Sequence, residues 1–498
     1  MSVSFNSVPG NTLVPLFYAE MNNEAASTAQ ESAPSLLLGH VASGASIPMN
    51  SLELMPSADY ARQVCGAGSQ LARMVDAYRA TDPFGELWVI AVPEAAGAAA
   101  VVSLTVTGEA SESGTVSLYV GRSRVQAAVV TGDNAEAVAA SLTIAINADV
   151  TLPFSAEAQG GVVTLTARHK GLSGNALPVT LNFYGSGGGE VLPTGVQIAI
   201  AVKTAGTGAP DLSGAIAAMG DEPFDYIALP FSDAASVNAM ATEMNDTSGR
   251  WSYARQLYGH LYSAQIGTLS ALVAAGELFN QQHITLAGYE PETQSPADEL
   301  AASRTARAAV FLRNDPARPT QTGELVGMLP APRGKRFTMT EQQTLLTHGV
   351  ATAYVESGVL RIQRDVTTWK KNTWGVADNS YRDSETLHTS AWVMRKLRST
   401  ITSKYGRHKL ANDGTRFGPG QAIVTPAVIK GELLATYRQM ERAGIVENYE
   451  LFKQYLVVER DASDPNRLNV LYPPDYINQL RVFAVVNQFR LQYSEEIA

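Results

Sequence analysis

The chain is poor in the residues that most often carry chemistry. Its 498 residues include a single cysteine, Cys65, so no disulfide can close within the chain and folding does not depend on an oxidising compartment. Cys65 has neither a CxxC partner nor an adjacent histidine, which argues against a thiol nucleophile. The seven histidines (His40, His169, His260, His283, His348, His388 and His408) show no HExxH or HxH spacing, so the sequence offers no metal site. The glycine groups Gly66/Gly68, Gly185–Gly189 and Gly206/Gly208 lack the third glycine of a dinucleotide fingerprint and the Gly-Lys-Ser/Thr of a phosphate loop, and read as turns. There is no GxSxG elbow. The acid pairs Asp221/Glu222 and Asp298/Glu299 fall in loops or at helix starts, where carboxylates are ordinary. No catalytic, cofactor-binding or metal residue is therefore predicted, and the chain is not expected to be an enzyme. Apolar runs such as 269–275 are far too short to cross a bilayer, so no membrane insertion is expected. The opening residues lack a basic stretch followed by a cleavable apolar core, so no secretion signal is predicted.

Charge is also sparse, at 17% of residues, and its placement is uneven. Residues 1–250 hold 9 basic and 23 acidic side chains, a balance of −14; residues 251–498 hold 28 and 24, a balance of +4. The densest basic region runs from Arg361 to Arg416, with twelve Lys/Arg against five acids in a chain of formal net charge −10. A basic segment in an acidic chain marks a face for an acidic partner. Trp369, Trp374 and Tyr381 interleave with it, a pattern that also suits nucleic acid. The acidity of the whole chain weakens that option, and no direct nucleic-acid contact is expected.

At 498 residues the chain is too long for one core and should form two to four domains. The predicted fold is multidomain α/β and α+β. Residues 1–22 form an extended arm, since Pro15 forbids a helix through Val14–Tyr18. Residues 23–93 and 209–357 form a discontinuous, doubly wound α/β core. It opens with a strand at Ser35–Leu38, one helix over Asp59–Ala80 and an apolar strand at Leu87–Val92. It resumes with helices at Asp211–Met219, Ser236–Arg250, Thr268–Asn280 and Pro296–Arg313 between strands at Tyr226–Leu229, Leu257–Ser263 and Ile284–Gly288. Residues 94–208 read as an inserted, strand-rich outer domain with strands at Val101–Thr107, Thr115–Val120, Arg124–Val130, Val162–Arg168 and Leu177–Tyr184 and a helix at Asn134–Asn147. Residues 358–478 read as a C-terminal α+β assembly domain. It begins with a strand at Val359–Thr367 and continues with a helix at Glu385–Tyr405. The next helix is capped by Thr425, starts at Pro426 and stops before Gly444. A hairpin of Gln454–Arg460 and Arg467–Tyr472 follows. Residues 479–498 form a C-terminal β arm.

Several motifs resemble those of the tail sheath proteins of Mu-like contractile phages: Asp315-Pro316-Ala317-Arg318-Pro319-Thr320-Gln321-Thr322, the run Glu341–Gly349, and Ser357–Arg364. The opening SVSFNSVPGNTLVPLFYAEMNN is similar to that family's N-terminal arm, although many sheath arms have glycine where Leu16 stands. The closing DPNRLNVLYPPDYINQLRVFAVVNQF is similar to its C-terminal end. The resemblance covers nearly the whole chain.

The resemblance implies a structural subunit of the virion that is assembled in the host cytoplasm, with no cofactor. Subunits would stack as hexameric rings around a tail tube protein, meet baseplate and tail terminator proteins, and contract to drive the tube through the host envelope. Exchange of terminal strands between subunits would use Val14, Leu16, Phe17 and Tyr18 of the first arm. It would also use Leu456, Val458, Leu468 and Val470 of the hairpin, and Val482, Ala484 and Val486 of the last. The expected tube-facing basic residues are Arg395, Lys396, Arg398, Lys404 and Arg407, or Arg438 and Arg442 of the next helix. Two alternatives stand beside this: a non-contractile tail or baseplate protein, and an α/β enzyme using the crevice of the doubly wound core.

Overall fold

The computed structural model describes residues 33–491. The arm expected at 1–22, with Val14, Leu16, Phe17 and Tyr18, lies outside the described residues.

The centre of the molecule is an eight-stranded sheet. Its order is Val359–Arg364, Val350–Glu356, Ile284–Tyr289, His260–Ile266, Tyr226–Leu229, Ser35–Gly39, Leu87–Ala91, Leu52–Leu54. The six inner strands are parallel, and the two edge strands run antiparallel. Ser35–Gly39 is buried along its whole length. Because side chains alternate across a strand, its Leu37 enters the core under helices Gln70–Arg79 and Ala297–Asn314, while Leu36 and Leu38 enter the opposite core. Each such leucine contributes about 1.5–3 kcal/mol by leaving water. Both faces are thus covered, as a parallel sheet requires, and the fold is a multidomain α/β and α+β one.

Residues 99–204 leave this sheet and return to it. They form a four-stranded sheet (Val196–Thr204, Ala99–Gly108, Val162–Lys170, Phe154–Gln159) and a three-stranded sheet (Ser123–Val129, Gly114–Val120, Val179–Leu181). Helix Ala135–Ala148 packs with both around one core that includes Leu104, Val116, Leu118, Leu142 and Leu165. The strands Phe154–Gln159 and Val196–Thr204 are additional to those read from the sequence. The expected strand Leu177–Tyr184 is cut to Val179–Leu181, ended by Asn182 at φ +49°.

The single helix expected over 59–80 is two, Ala58–Cys65 and Gln70–Arg79. Gly66 and Gly68 break it at φ +84° and +76°. A Cβ at Gly68 would stand 2.6 Å from the carbonyls of Val150 and Leu152, so the turn lets the inserted domain approach the backbone. Ser69 then caps the second helix. The helix expected to run to Arg250 stops at Met244. Arg250, fully buried, lies in the turn beyond and donates to the carbonyls of Gly220 and Glu222.

The strand Val359–Arg364, read above as the start of the last region, is the edge of the central sheet. It pairs antiparallel with Val350–Glu356 across the turn Ser357–Gly358, where both residues have positive φ. Beyond it come helices Ser384–Tyr405, Pro426–Arg442 and Tyr449–Tyr455 and the hairpin Val457–Arg460/Leu468–Leu471. Thr425 caps the second helix, and Ile429, Leu433, Tyr437 and Met440 are its buried stripe. Tyr437 stacks on Phe452 with ring centres 3.7 Å apart. The segment 449–455 is helical where the hairpin was expected to begin, so the first strand starts only at Val457.

Candidate assembly surfaces

Part of the basic stretch is internal wiring. Arg364 holds Asp383 with two hydrogen bonds of 2.8 and 2.9 Å. The Lys370 ammonium donates to the carbonyls of Gly276 and Phe279, each at 2.7 Å, at the end of helix Leu269–Glu277. A cation there is favoured by the negative end of the helix dipole. Burial holds the Lys370 pKa below its usual value.

Arg395, expected to face outward, is turned inward. Its guanidinium donates to the Asp225 carboxylate and, at 3.0 Å, to the Tyr258 carbonyl, and its side chain is 21% exposed. The position explains the direction: Arg395 sits where helix Ser384–Tyr405 crosses the entry to strand Tyr226–Leu229, and Asp225 there is buried. Lys404 is exposed but bonded to Glu432 at 2.6 Å, and Arg438 lies over the Tyr449 ring at 4.2 Å. Arg398, Arg407 and Arg442 are exposed and Lys396 is partly so. None of these four makes an ion pair among the described residues. They are open to another molecule, as are Lys371, Arg382 and Arg416 of the basic stretch.

The hairpin residues divide as well. Leu456, expected to take part in exchange between subunits, is 1% exposed and packs in the core with Tyr437 and Phe452. It ends a helix whose buried face points inward, so it is a core residue of its own chain. Val458 pairs with Val470, and Leu468 with Arg460. Val458 and Leu468 are half-buried, while Val470 and its neighbour Leu471 are exposed. The two-stranded sheet is bonded to no further strand among the described residues. From Val482 the tail, with Ala484 and Val486, is exposed and belongs to no strand.

Two buried histidines, His388 and His169, are held neutral. His388 lies against the Tyr226 ring and 3.0 Å from the Tyr262 hydroxyl; burial, with Arg395 nearby, pushes its pKa down to about 3. His169 takes the Gln70 N–H on Nε2 at 3.0 Å, while its Nδ1 faces Glu94 at 2.9 Å. Burial outweighs Glu94 and sets its pKa at about 4. The crevice that an enzyme of this fold would use lies at the ends of strands Ser35–Gly39 and Tyr226–Leu229. It is a cavity of about 300 Å3 lined by His40, Phe231, Gln265 and Asp298. There His40 packs against the Phe231 ring and hydrogen-bonds the Val92 carbonyl at 3.0 Å. No group of side chains able to hold a metal ion occurs among the described residues.

Sequence reasoning missed Thr320, Gln321 and Arg481, which meet at the base of the tail. The signals were that Thr320 and Gln321 lie in the Asp315–Thr322 motif and Arg481 in the closing run 464–489.

A doubly wound core carrying an inserted β-sandwich and a helical domain that ends in an exposed apolar tail defines an assembly subunit. Residues 95–197 match the beta-sandwich domain of phage tail sheath proteins, residues 205–368 their central domain, and residues 376–490 their C-terminal domain. The chain is 38% identical over 495 residues to the Mu-like prophage FluMu tail sheath protein of Haemophilus influenzae, covering 99% of this chain and all of that one. It belongs to the phage tail sheath protein family, and is a structural component of a phage tail. Solved sheath tail proteins from Desulfitobacterium hafniense and Listeria innocua match with 11% and 10% identity. They cover 93% and 90% of this chain, and 100% and 93% of their own, each at a TM-score of 0.48. Among the described residues no helix is long and apolar enough to cross a membrane.

Proposed function

We propose that this chain polymerises as stacked hexameric rings around a tail tube, linked by exchange of its terminal strands, and that the lattice contracts to drive the tube through the host envelope. One observation carries the strand-exchange reading. The tail exposes Leu480, Val482, Phe483, Val485, Val486, Phe489 and Leu491, each at least 68% accessible, and the hairpin sheet of the same chain is bonded to no further strand among the described residues. An apolar tail and an unpaired sheet edge complement each other, because an added strand satisfies the edge's backbone groups and covers the tail's side chains. In this reading Val458, Leu468 and Val470 receive the segment around Val482, Ala484 and Val486 of a neighbour, and residues 1–22 supply a further strand. Baseplate and tail terminator proteins meet the two ends of the stack, and assembly takes place in the host cytoplasm.

The tube contact falls to Lys396, Arg398, Arg407 and Arg442, with Lys404 and Arg438 at its margin. Exposed ion pairs are worth about 0–1 kcal/mol each. A few of them would register the sheath on an acidic tube and still let it slide.

Engineered cysteines test the exchange, since the only native thiol, Cys65, is buried. A chain carrying Val458→Cys and Val486→Cys should form a ladder of disulfide-linked oligomers when assembled and oxidised. If neither this pair nor Val470→Cys with Val486→Cys cross-links in assembled material, the strand-exchange reading fails.

A further inference from the structure

The Gln479 side chain donates to the Ala317 carbonyl at 3.3 Å. The Leu480 carbonyl accepts from the Gln321 amide at 3.0 Å. Arg481 donates to the Gln321 side-chain oxygen at 3.3 Å and places its other terminal nitrogen 2.9 Å from Glu385 and 3.3 Å from Asp383. The contact with Glu385 is close but off the N–H axis, so it is an ion pair rather than an aligned hydrogen bond.

Glu385 makes this arrangement more than a surface contact. Its side chain is fully buried, and one oxygen is taken by the N–H and hydroxyl of Thr320 at 2.8 and 2.9 Å. The other oxygen has Arg481 as its ion-pair partner. A buried carboxylate left without its cation is strongly destabilising. Asp383 is hydrogen-bonded by Arg364 and shared with Arg481, whereas Glu385 has only Arg481 as its ion-pair partner among the described residues. The Arg481 side chain is 12% exposed between Leu480 and Val482, which are 69% and 78% exposed, so Arg481 is the inward-turned residue of the segment.

We infer that Ala317, Thr320, Gln321, Asp383 and Glu385 form a docking site for one peptide segment, Gln479–Arg481, and that this site sets Val482 as the point where the tail departs. The site gives the Asp315–Thr322 motif a role, because its backbone and its Thr320 and Gln321 side chains build most of it. It deepens the strand-exchange reading and rests on it for its purpose. A tail inserted in a neighbour transmits force to its own subunit through its base. That force enters the first turn of helix Ser384–Tyr405 through the Arg481–Glu385 pair.

Limited trypsin digestion of the full, unassembled chain tests the site directly, since trypsin can cut after both Arg481 and Arg490. In the unaltered protein the cut after Arg490 should be fast and the cut after Arg481 slow. Gln321→Ala and Glu385→Gln leave Arg481 in place and each remove a partner. Each should speed cleavage after Arg481 about tenfold or more, as expected for a lost hydrogen bond or ion pair to a charged group. Cleavage after Arg407 should stay unchanged, which separates local release from general unfolding. The proposal is overturned if Arg481 is cut as fast as Arg490 in the unaltered chain, or if neither variant changes its rate. This readout precedes assembly. Sheath-like tubes from a chain ending at Arg481 would therefore remove the strand-exchange reading and leave the docking site standing.

Discussion

The guanidinium of Arg395 donates to the carboxylate of Asp225, 170 positions away, and joins the basic helix to the central sheet. Asp225 is buried, so the bond is a domain-to-domain strut. This divides the basic helix into residues that hold the subunit together and residues that can meet a partner.

Replacing Arg395 with alanine should therefore lower stability by about 1.5–3 kcal/mol, because it removes a hydrogen bond between charged groups. Arg398→Glu and Arg407→Glu, on exposed positions, should change it by less than about 0.5 kcal/mol while impairing assembly on tubes. Urea denaturation of the three variants, with co-sedimentation on purified tube, checks both halves. Equal stability losses at Arg395 and Arg398 would contradict the division.

Arg304 and Asp365 form an ion pair in which both side chains are fully buried, with Arg304 also bonded to the Tyr289 hydroxyl and the Thr352 carbonyl. Asp365→Ala should cost about 3–5 kcal/mol. The double variant Arg304→Met/Asp365→Leu should recover most of that loss, since an apolar pair of similar volume leaves no charge unpaired. Chemical denaturation of the single and double variants measures the difference.

The neutral histidines make stability pH-dependent. His169 and His388 have folded pKa values of about 4 and about 3, below the unfolded value of 6.5. As pH falls below 6.5 the unfolded chain takes up protons that the folded chain refuses, so stability is full above that value and declines toward pH 4. Each of the two should contribute a loss of about 2 kcal/mol between pH 7 and pH 5. Arg73, His40 and Glu94 surround His169, and burial outweighs the attraction of Glu94. His169→Gln should flatten the decline measured by urea midpoints at the two pH values. An unchanged slope would place the effect elsewhere.

Much of the fold was legible because it is signalled locally. Thr425, Pro426 and Gly444 punctuate a helix within a few residues, and the apolar run at Leu87–Ala91 marks a buried strand. The helix break at Gly66 and Gly68 was hidden because apolar spacing continues across it, and only the approach of Val150 and Leu152 explains the turn. The last residues of helix Tyr449–Tyr455, Gln454 and Tyr455, were read as the start of a strand, and the helix is held by the contact of its Phe452 with Tyr437. The assembly surfaces were legible only as composition. Charge counting cannot distinguish Arg395, which faces Asp225, from Arg398, which faces water. Nor can it pair Arg481 with Glu385, because those partners are brought together by the chain's return.

Two truncations separate the base of the tail from its outer part. A chain ending at Arg481 should be as stable as the full chain and unable to polymerise. A chain ending at Asn478 should also lose about 3–5 kcal/mol, since the buried Glu385 then lacks Arg481. Thermal denaturation and sedimentation velocity distinguish the two.

Negative-stain electron microscopy of the purified full chain, without tube or baseplate, tests the central claim most directly. The account predicts long hollow tubes of stacked rings, and none from the chain ending at Arg481. Discrete particles at every protein and salt concentration, or tubes of normal length from the truncated chain, would contradict it.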